Sequence, residues 1–95
     1  RGRVIRAREI QTRRADKPNA LLNNTELGKF CHIEGVALQL LEHAADHLYL
    51  SPRACHRILK VSRTIADLEE AGDINDTHIA EAIAFRRLST TMHDS

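Results

Sequence analysis

The sequence has no tryptophan, and its aromatic residues are Phe30, Tyr49 and Phe85 alone. Aromatic and β-branched residues build sheets, so their scarcity argues against a β-sandwich or barrel. Two prolines and four glycines leave few interruptions over 95 residues. With 42% hydrophobic and 28% charged residues, the composition is typical of one small helical domain.

Long apolar runs are also missing. No stretch approaches the roughly 18 apolar residues of a membrane span, so we expect no transmembrane helix and no membrane partner. The arginine-rich start lacks the apolar segment of a signal peptide, which favours a cytoplasmic location. In that compartment we expect Cys31 and Cys55, the two cysteines, to be small buried side chains rather than a disulfide.

Excess charge of one sign is absent as well. Fourteen basic and 13 acidic residues give a formal net charge of +1, which argues against a dedicated nucleic-acid domain. The distribution is less even, because six arginines fall within the first 14 residues. The chain begins without methionine, and we expect it to be part of a longer protein.

Catalytic signatures are missing too. The chain has no GxxxxGK[ST], GxSxG, HExxH or CxxC motif, so we assign no catalytic residue and expect no enzyme activity of the chain alone. The candidate metal ligands lack the number or spacing of a zinc site, and we expect no metal. These candidates are His43 with His47, and the Cys31-His32 and Cys55-His56 pairs.

Apolar spacing and capping residues predict an all-α bundle of four to five helices, with the fourth helix as its spine. We expect one domain over residues 1–88, with a first helix and connector in 1–18, and a flexible tail over 89–95. The helices are predicted at about 3–14, one or two turns after a cap at Asn23 with Glu26 three residues on, 34–48, 52–71 and, after a cap at Asn75, 76–87. Ser51 as the cap and Pro52 at the first position define the start of the fourth helix best.

Arg53 stands directly after that proline. The first turn of a helix favours anions through its free amides and its dipole, and an arginine adds a planar donor suited to phosphate. Arg57, Lys60 and Thr64 continue the same line at helical spacing. From these residues alone, an ordinary surface arginine is the commoner explanation.

The run LSPRACHRILKVSRTIADL at 50–68 resembles the C-terminal domain of magnesium-chelatase-like AAA+ ATPases, in the bacterial ComM/YifB group. RVIRAREIQTRR, KPNALLNNTELGKFC and INDTHIAEAIAFRRL are similar to further segments of that domain. The resemblance covers about residues 3–88. Ser62 departs from it, since alanine is expected there.

The resemblance implies the helical lid of an AAA+ motor. Arg53 matches the sensor-2 arginine, which reaches the γ-phosphate of ATP, and Arg57 is a weaker candidate. The whole protein would bind ATP and Mg²⁺, while the isolated domain is expected to bind neither. Its partners would be the AAA+ core of the same chain and neighbouring subunits of a hexameric ring that remodels DNA in recombination and competence.

Two alternatives remain open. One is the lid of a metal-inserting magnesium chelatase subunit. The other is a helical module that binds DNA or a protein without any nucleotide role. Basic side chains that could contact a nucleic acid or a partner are Arg6, Arg13, Arg14, Lys60 and Arg63.

Overall fold

The computed structural model describes the backbone of residues 2–94 and the side chains of residues 2–87. The all-α prediction is confirmed, since no strand occurs in this part of the chain. Five α-helices and one 3₁₀ turn follow one another: α1 Gly2–Ala15, the 3₁₀ turn Asn19–Leu21, α2 Asn24–Phe30, α3 Gly35–Leu48, α4 Pro52–Leu68 and α5 Asp76–Asp94.

Local hydrogen bonds explain where the middle helices begin. The Asn23 side chain accepts from the Glu26 amide at 2.9 Å, and the Glu26 carboxylate accepts from the Asn23 amide at 3.0 Å. This reciprocal capping box starts α2 as predicted. The backbone hydrogen bond from Asn23 holds the pKa of Glu26 below its usual value.

α5 begins with a similar exchange, in which a histidine takes the place of the glutamate. The Asn75 side chain accepts from the His78 amide at 3.1 Å, and Nδ1 of His78 accepts from the Asn75 amide at 3.0 Å. Asn75 is therefore the cap, as predicted. The helix continues to Asp94, and Ser95 lies outside the described residues.

The end of α4 differs from the prediction. The helix stops at Leu68 and not at about Ala71, because Glu70 adopts a left-handed φ of 57°. The Ala71 amide then returns to the Ala66 carbonyl at 2.8 Å. A left-handed residue with this bond is a common helix terminator, but here it is not the glycine that the sequence offers two positions later.

α4 is the spine of the bundle. It packs against α1, the 3₁₀ turn, α2 and α5, and α5 packs on its other side against α3. The core is built from α2, α3, α4, α5 and the segments that adjoin them. Its residues are Leu22, Leu27, Cys31, Ile33, Ala37, Leu41, Ile58, Ala66, Ile74, Ile79 and Ala82. No helix in the described part of the chain is long and apolar enough to cross a membrane.

The buried side of α3 is narrower than its apolar pattern. The sequence predicts an apolar stripe of Val36, Leu40 and Ala44, with Ala37, Leu41, Ala45 and Leu48 beside it, yet Val36 is 65% exposed. Ala37, Leu41 and Ala44 are the buried residues. The apolar residues span a wide arc of α3, and packing against α5 buries only part of it.

Candidate functional site

The amino-terminal end of α4 is built by its cap. The Ser51 hydroxyl accepts from the Ala54 amide at 3.1 Å, and the Ser51 carbonyl accepts from the Cys55 amide at 3.0 Å. Proline at position 52 has no amide hydrogen to donate. The Arg53 amide is thus the one donor of this turn without a helical acceptor, and it points out of the end of the helix.

Arg53 and Arg57 lie one helical turn apart beside this end. Both are exposed, and neither makes a hydrogen bond or ion pair with the described residues. Two guanidinium groups at this spacing share one face of the helix. The structure therefore brings the two predicted nucleotide contacts together and leaves both able to accept an anion.

Arg53, Arg57, Lys60 and Thr64 form a line along α4, and the last two of them contact the 3₁₀ turn. The Lys60 ammonium donates to the Ala20 carbonyl at 3.2 Å, and the Thr64 hydroxyl accepts from the Asn19 amide group at 3.1 Å. The line is open only at Arg53 and Arg57, which confines the candidate site to the first turns of α4.

The expectation of a surface contact at Arg63 needs correction, because Arg63 is 4% exposed. Its Nε donates to Asp67 at 3.2 Å, and its terminal nitrogens donate to the carbonyls of Gly72 at 3.1 Å and Ala71 at 2.8 Å. The side chain ties the end of α4 to the following turn. It is not available to a nucleic acid or partner in this conformation.

Arg14 also lies inside rather than on the surface. Its terminal nitrogens donate to the two carboxylate oxygens of Asp67 at 2.7 and 2.9 Å, with 13% of the arginine side chain exposed and none of the aspartate. The outer candidates are Arg6, which pairs with exposed Glu70 at 2.9 Å, and Arg13, which is exposed. Of the predicted nucleic-acid or partner contacts, Arg14 and Arg63 are thus engaged inside the domain, whereas Arg6 and Arg13 lie at its surface.

Asp67 and five other polar residues form a buried or half-buried hydrogen-bonded group, which the sequence did not predict. Asn19 donates to Asp67 at 2.9 Å, and Gln11 accepts from the Asn19 backbone at 3.1 Å. No buried polar side-chain atom lacks a hydrogen-bond partner in the described residues. We refer to this group as the Asp67 cluster; its members are Gln11, Arg14, Asn19, Arg63, Thr64 and Asp67.

The charges of the cluster compensate one another. Burial alone would raise the pKa of Asp67, but hydrogen bonds from Arg14 and Asn19 and the nearby positive charges hold that pKa below its usual value. The hydrogen bond with Asp67 raises the pKa of Arg14. Arg14 and Asp67 are therefore held in their charged forms. The i, i+4 spacing of Arg63 and Asp67 is the one sequence signal that could have indicated the cluster.

The candidate metal ligands form no site in the described part of the chain. The rings of His43 and His47 lie 4.1 Å apart edge to face, and no group of three suitable ligands occurs among the described residues. Cys31 and Cys55 are free thiols, and burial raises the pKa of Cys31.

Comparison with known proteins decides the family. The family described as magnesium chelatase, subunit ChlI C-terminal, matches residues 1–86. The chain belongs to this family. Its match includes α1 to α4 and most of the described part of α5, so that both the first turns of α4 and the Asp67 cluster lie within the family domain.

Individual relatives place the chain in the ComM/YifB group of the family. It is 48% identical over 88 residues to competence protein ComM of Haemophilus influenzae, covering 93% of the chain. It is 43% identical over 86 residues to YifB of Escherichia coli and 45% identical to YifB of Salmonella typhimurium, covering 90% of the chain in each case. The chain spans 17% of the length of these relatives. No solved structure matches it.

Proposed function

We propose that this domain is the C-terminal lid of a cytoplasmic AAA+ ATPase of the ComM/YifB group, with Arg53 as its sensor-2 arginine. The observation that carries the proposal is the position of Arg53. Its exposed, unpaired guanidinium lies in the first turn of α4, in a chain that the family matches from residue 1 to 86. Arg57 is a secondary contact one turn further along.

The chemistry of this end of α4 suits a phosphate. Arg53 supplies planar, charged donors for phosphate oxygens, and its free amide and the helix dipole add to the attraction. In phosphoryl transfer, such donors stabilise the charge on the transferring group. ATP and Mg²⁺ would be held mainly by the rest of the whole protein, so the domain alone has no ATPase activity.

The proposal extends to the assembly. The lid would contact the AAA+ core of its own chain and neighbouring subunits of a hexameric ring, and close over the nucleotide as the motor remodels DNA in recombination. The 48% identity to a protein described as a competence protein favours this role over that of a metal-inserting chelatase subunit. A separate DNA-binding module is less well supported, since Arg14 and Arg63 are engaged within the domain.

Substitution of Arg53 in the whole protein tests the proposal. Arg53→Ala is expected to lower the rate of ATP hydrolysis by at least about tenfold, because loss of one transition-state donor costs about 10²–10³ in well-studied enzymes. Arg8→Ala removes an exposed arginine from α1 and serves as the matched control. Turnover by Arg53→Ala equal to that of the control would refute the sensor-2 assignment.

A further inference from the structure

α1 is attached to the domain mainly by polar groups. Ala7 is its one buried hydrophobic residue, while Val4 and Ile5 are 48% and 52% exposed. Gln11 and Arg14, in contrast, both enter the Asp67 cluster. Apolar burial in α1 is limited to Ala7 and the half-buried Ile10 and Ala15, so directional bonds contribute strongly to the position of this helix.

The bonds from Arg3, Arg6 and Arg14 reach the carboxyl end of α4 or the residues just beyond it. Besides the pair between Arg14 and Asp67, Arg3 donates to the Leu68 carbonyl at 3.3 Å, and Arg6 pairs with Glu70 just beyond the helix. Arg53 lies at the opposite end of α4. With a rise of about 1.5 Å per residue, 14 residues place its Cα about 21 Å from that of Asp67.

The type of contact determines how α1 and α4 can move. Apolar contacts are not directional and permit neighbouring helices to slide. A bidentate ion pair fixes both distance and direction, and separating a buried pair leaves an uncompensated buried charge. The α4 helix has no glycine and no proline after Pro52. It therefore lacks the residues at which helices commonly bend, and its two ends move as one rigid body.

We infer that the Asp67 cluster positions Arg53. The pair of Arg14 and Asp67 fixes the direction of α4 relative to α1. Because α1 would follow the AAA+ core in the proposed whole protein, the pair also sets the position of Arg53, at the opposite end of α4, relative to that core. The inference rests on the proposed role of Arg53. It makes Arg14 and Asp67 positioning residues, which act through α4 and do not touch the nucleotide.

The test uses the whole protein and four variants: Arg14→Lys, its matched control Arg8→Lys at an exposed position of α1, Arg53→Ala, and the double variant Arg14→Lys/Arg53→Ala. Lysine keeps the charge at position 14 but cannot form the bidentate pair. We expect Arg14→Lys to lower kcat for ATP hydrolysis about threefold or more through misplacement of Arg53. The dissociation constant for ATP should stay within about twofold, since ground-state binding is retained.

The double variant separates positioning from general damage. If Arg14 acts through Arg53, Arg14→Lys lowers kcat no further once Arg53 is alanine. If the losses of the two single variants multiply, or if Arg14→Lys has the same rate as Arg8→Lys, the inference is overturned while the proposed function stands. An unchanged rate for Arg53→Ala would instead remove the proposed function, and the inference with it.

Thermal unfolding of each whole-protein variant accompanies the kinetics. If Arg14→Lys lowers the unfolding midpoint by more than about 10 °C, the rates of all variants are compared at a temperature below the onset of unfolding of each one. The same criteria then apply: a lower kcat that disappears in the Arg53→Ala background supports the inference, and an unchanged kcat or losses that multiply contradict it.

Discussion

The Arg14 guanidinium spans both oxygens of the Asp67 carboxylate, 53 positions away in sequence, at 2.9 and 2.7 Å. Asp67 is 1% exposed, and Asn19 and Arg63 complete its shell of donors. A buried carboxylate with this many donors is compensated. This contact therefore joins α1 and the 3₁₀ turn to α4.

Removal of the Asp67 carboxylate should be severely destabilising. Asp67→Ala leaves Arg14 and Arg63 buried without a counter-charge, and we expect a loss of about 3–5 kcal/mol in the free energy of unfolding. Urea denaturation of the 95-residue domain measures it. Arg6→Ala is the control, because it breaks an ion pair whose side chains are 61% and 50% exposed and should cost less than about 1 kcal/mol. Equal losses for both variants would contradict the prediction.

The same carboxylate makes stability depend on pH. Because the pKa of Asp67 is lower in the folded domain than in the unfolded chain, its stabilisation is present above the unfolded value of about 3.9 and is lost as the pH falls through the folded pKa. We expect the unfolding free energy to decline below about pH 4. Asp67→Asn should show a shallower decline over that range in urea titrations, and parallel curves would refute the assignment.

Tyr49 offers a stabilising substitution. It ends α3 with a φ of 52°, and its side chain is 93% exposed, so it packs against little. Glycine adopts this left-handed conformation without strain, and Tyr49→Gly should stabilise the domain by about 0.5–1 kcal/mol. Tyr49→Ala retains the backbone strain and should show no such gain. Thermal unfolding midpoints of the two variants distinguish them, and a gain in both would point to another cause.

Ser62, where the family resemblance leads one to expect alanine, should tolerate that residue. It is fully buried, and its hydroxyl donates to the Ile58 carbonyl within the same helix at 2.7 Å. Ser62→Ala removes the donor and leaves no buried donor unpaired, so we expect a change within about 0.5 kcal/mol, toward greater stability. Ser62→Val should lose about 1–3 kcal/mol through overpacking. Chemical denaturation of both variants provides the comparison.

Helix positions and starts were accessible from sequence because their causes are local. Asn23 with Glu26, and Ser51 with Pro52, act over three or four residues, and the structure shows both arrangements as predicted. The apolar spacing likewise predicted an all-α bundle with α4 as its spine. Arg53 was identified by the same local signal, and the structure leaves its side chain exposed.

The Asp67 cluster could not be predicted in this way. It joins Arg14 to Asp67 through tertiary contact, and a charged residue in an amphipathic helix is ordinarily expected at the surface. For the same reason Arg14 and Arg63 were assigned to partner contacts. The end of α4 was also missed, because Glu70 takes a left-handed conformation that sequence rules reserve for glycine or asparagine.

The two ion pairs of α1 differ in their access to solvent, and this gives the helix a polarity in its response to salt. The Arg6–Glu70 pair is open to water, whereas Arg14–Asp67 is enclosed. Mobile ions screen exposed charges strongly and buried ones weakly. We therefore expect rising ionic strength to weaken the contact between the amino-terminal half of α1 and the bundle. The contact at the carboxyl end of α1 is retained, so α1 separates from the bundle from its amino-terminal end.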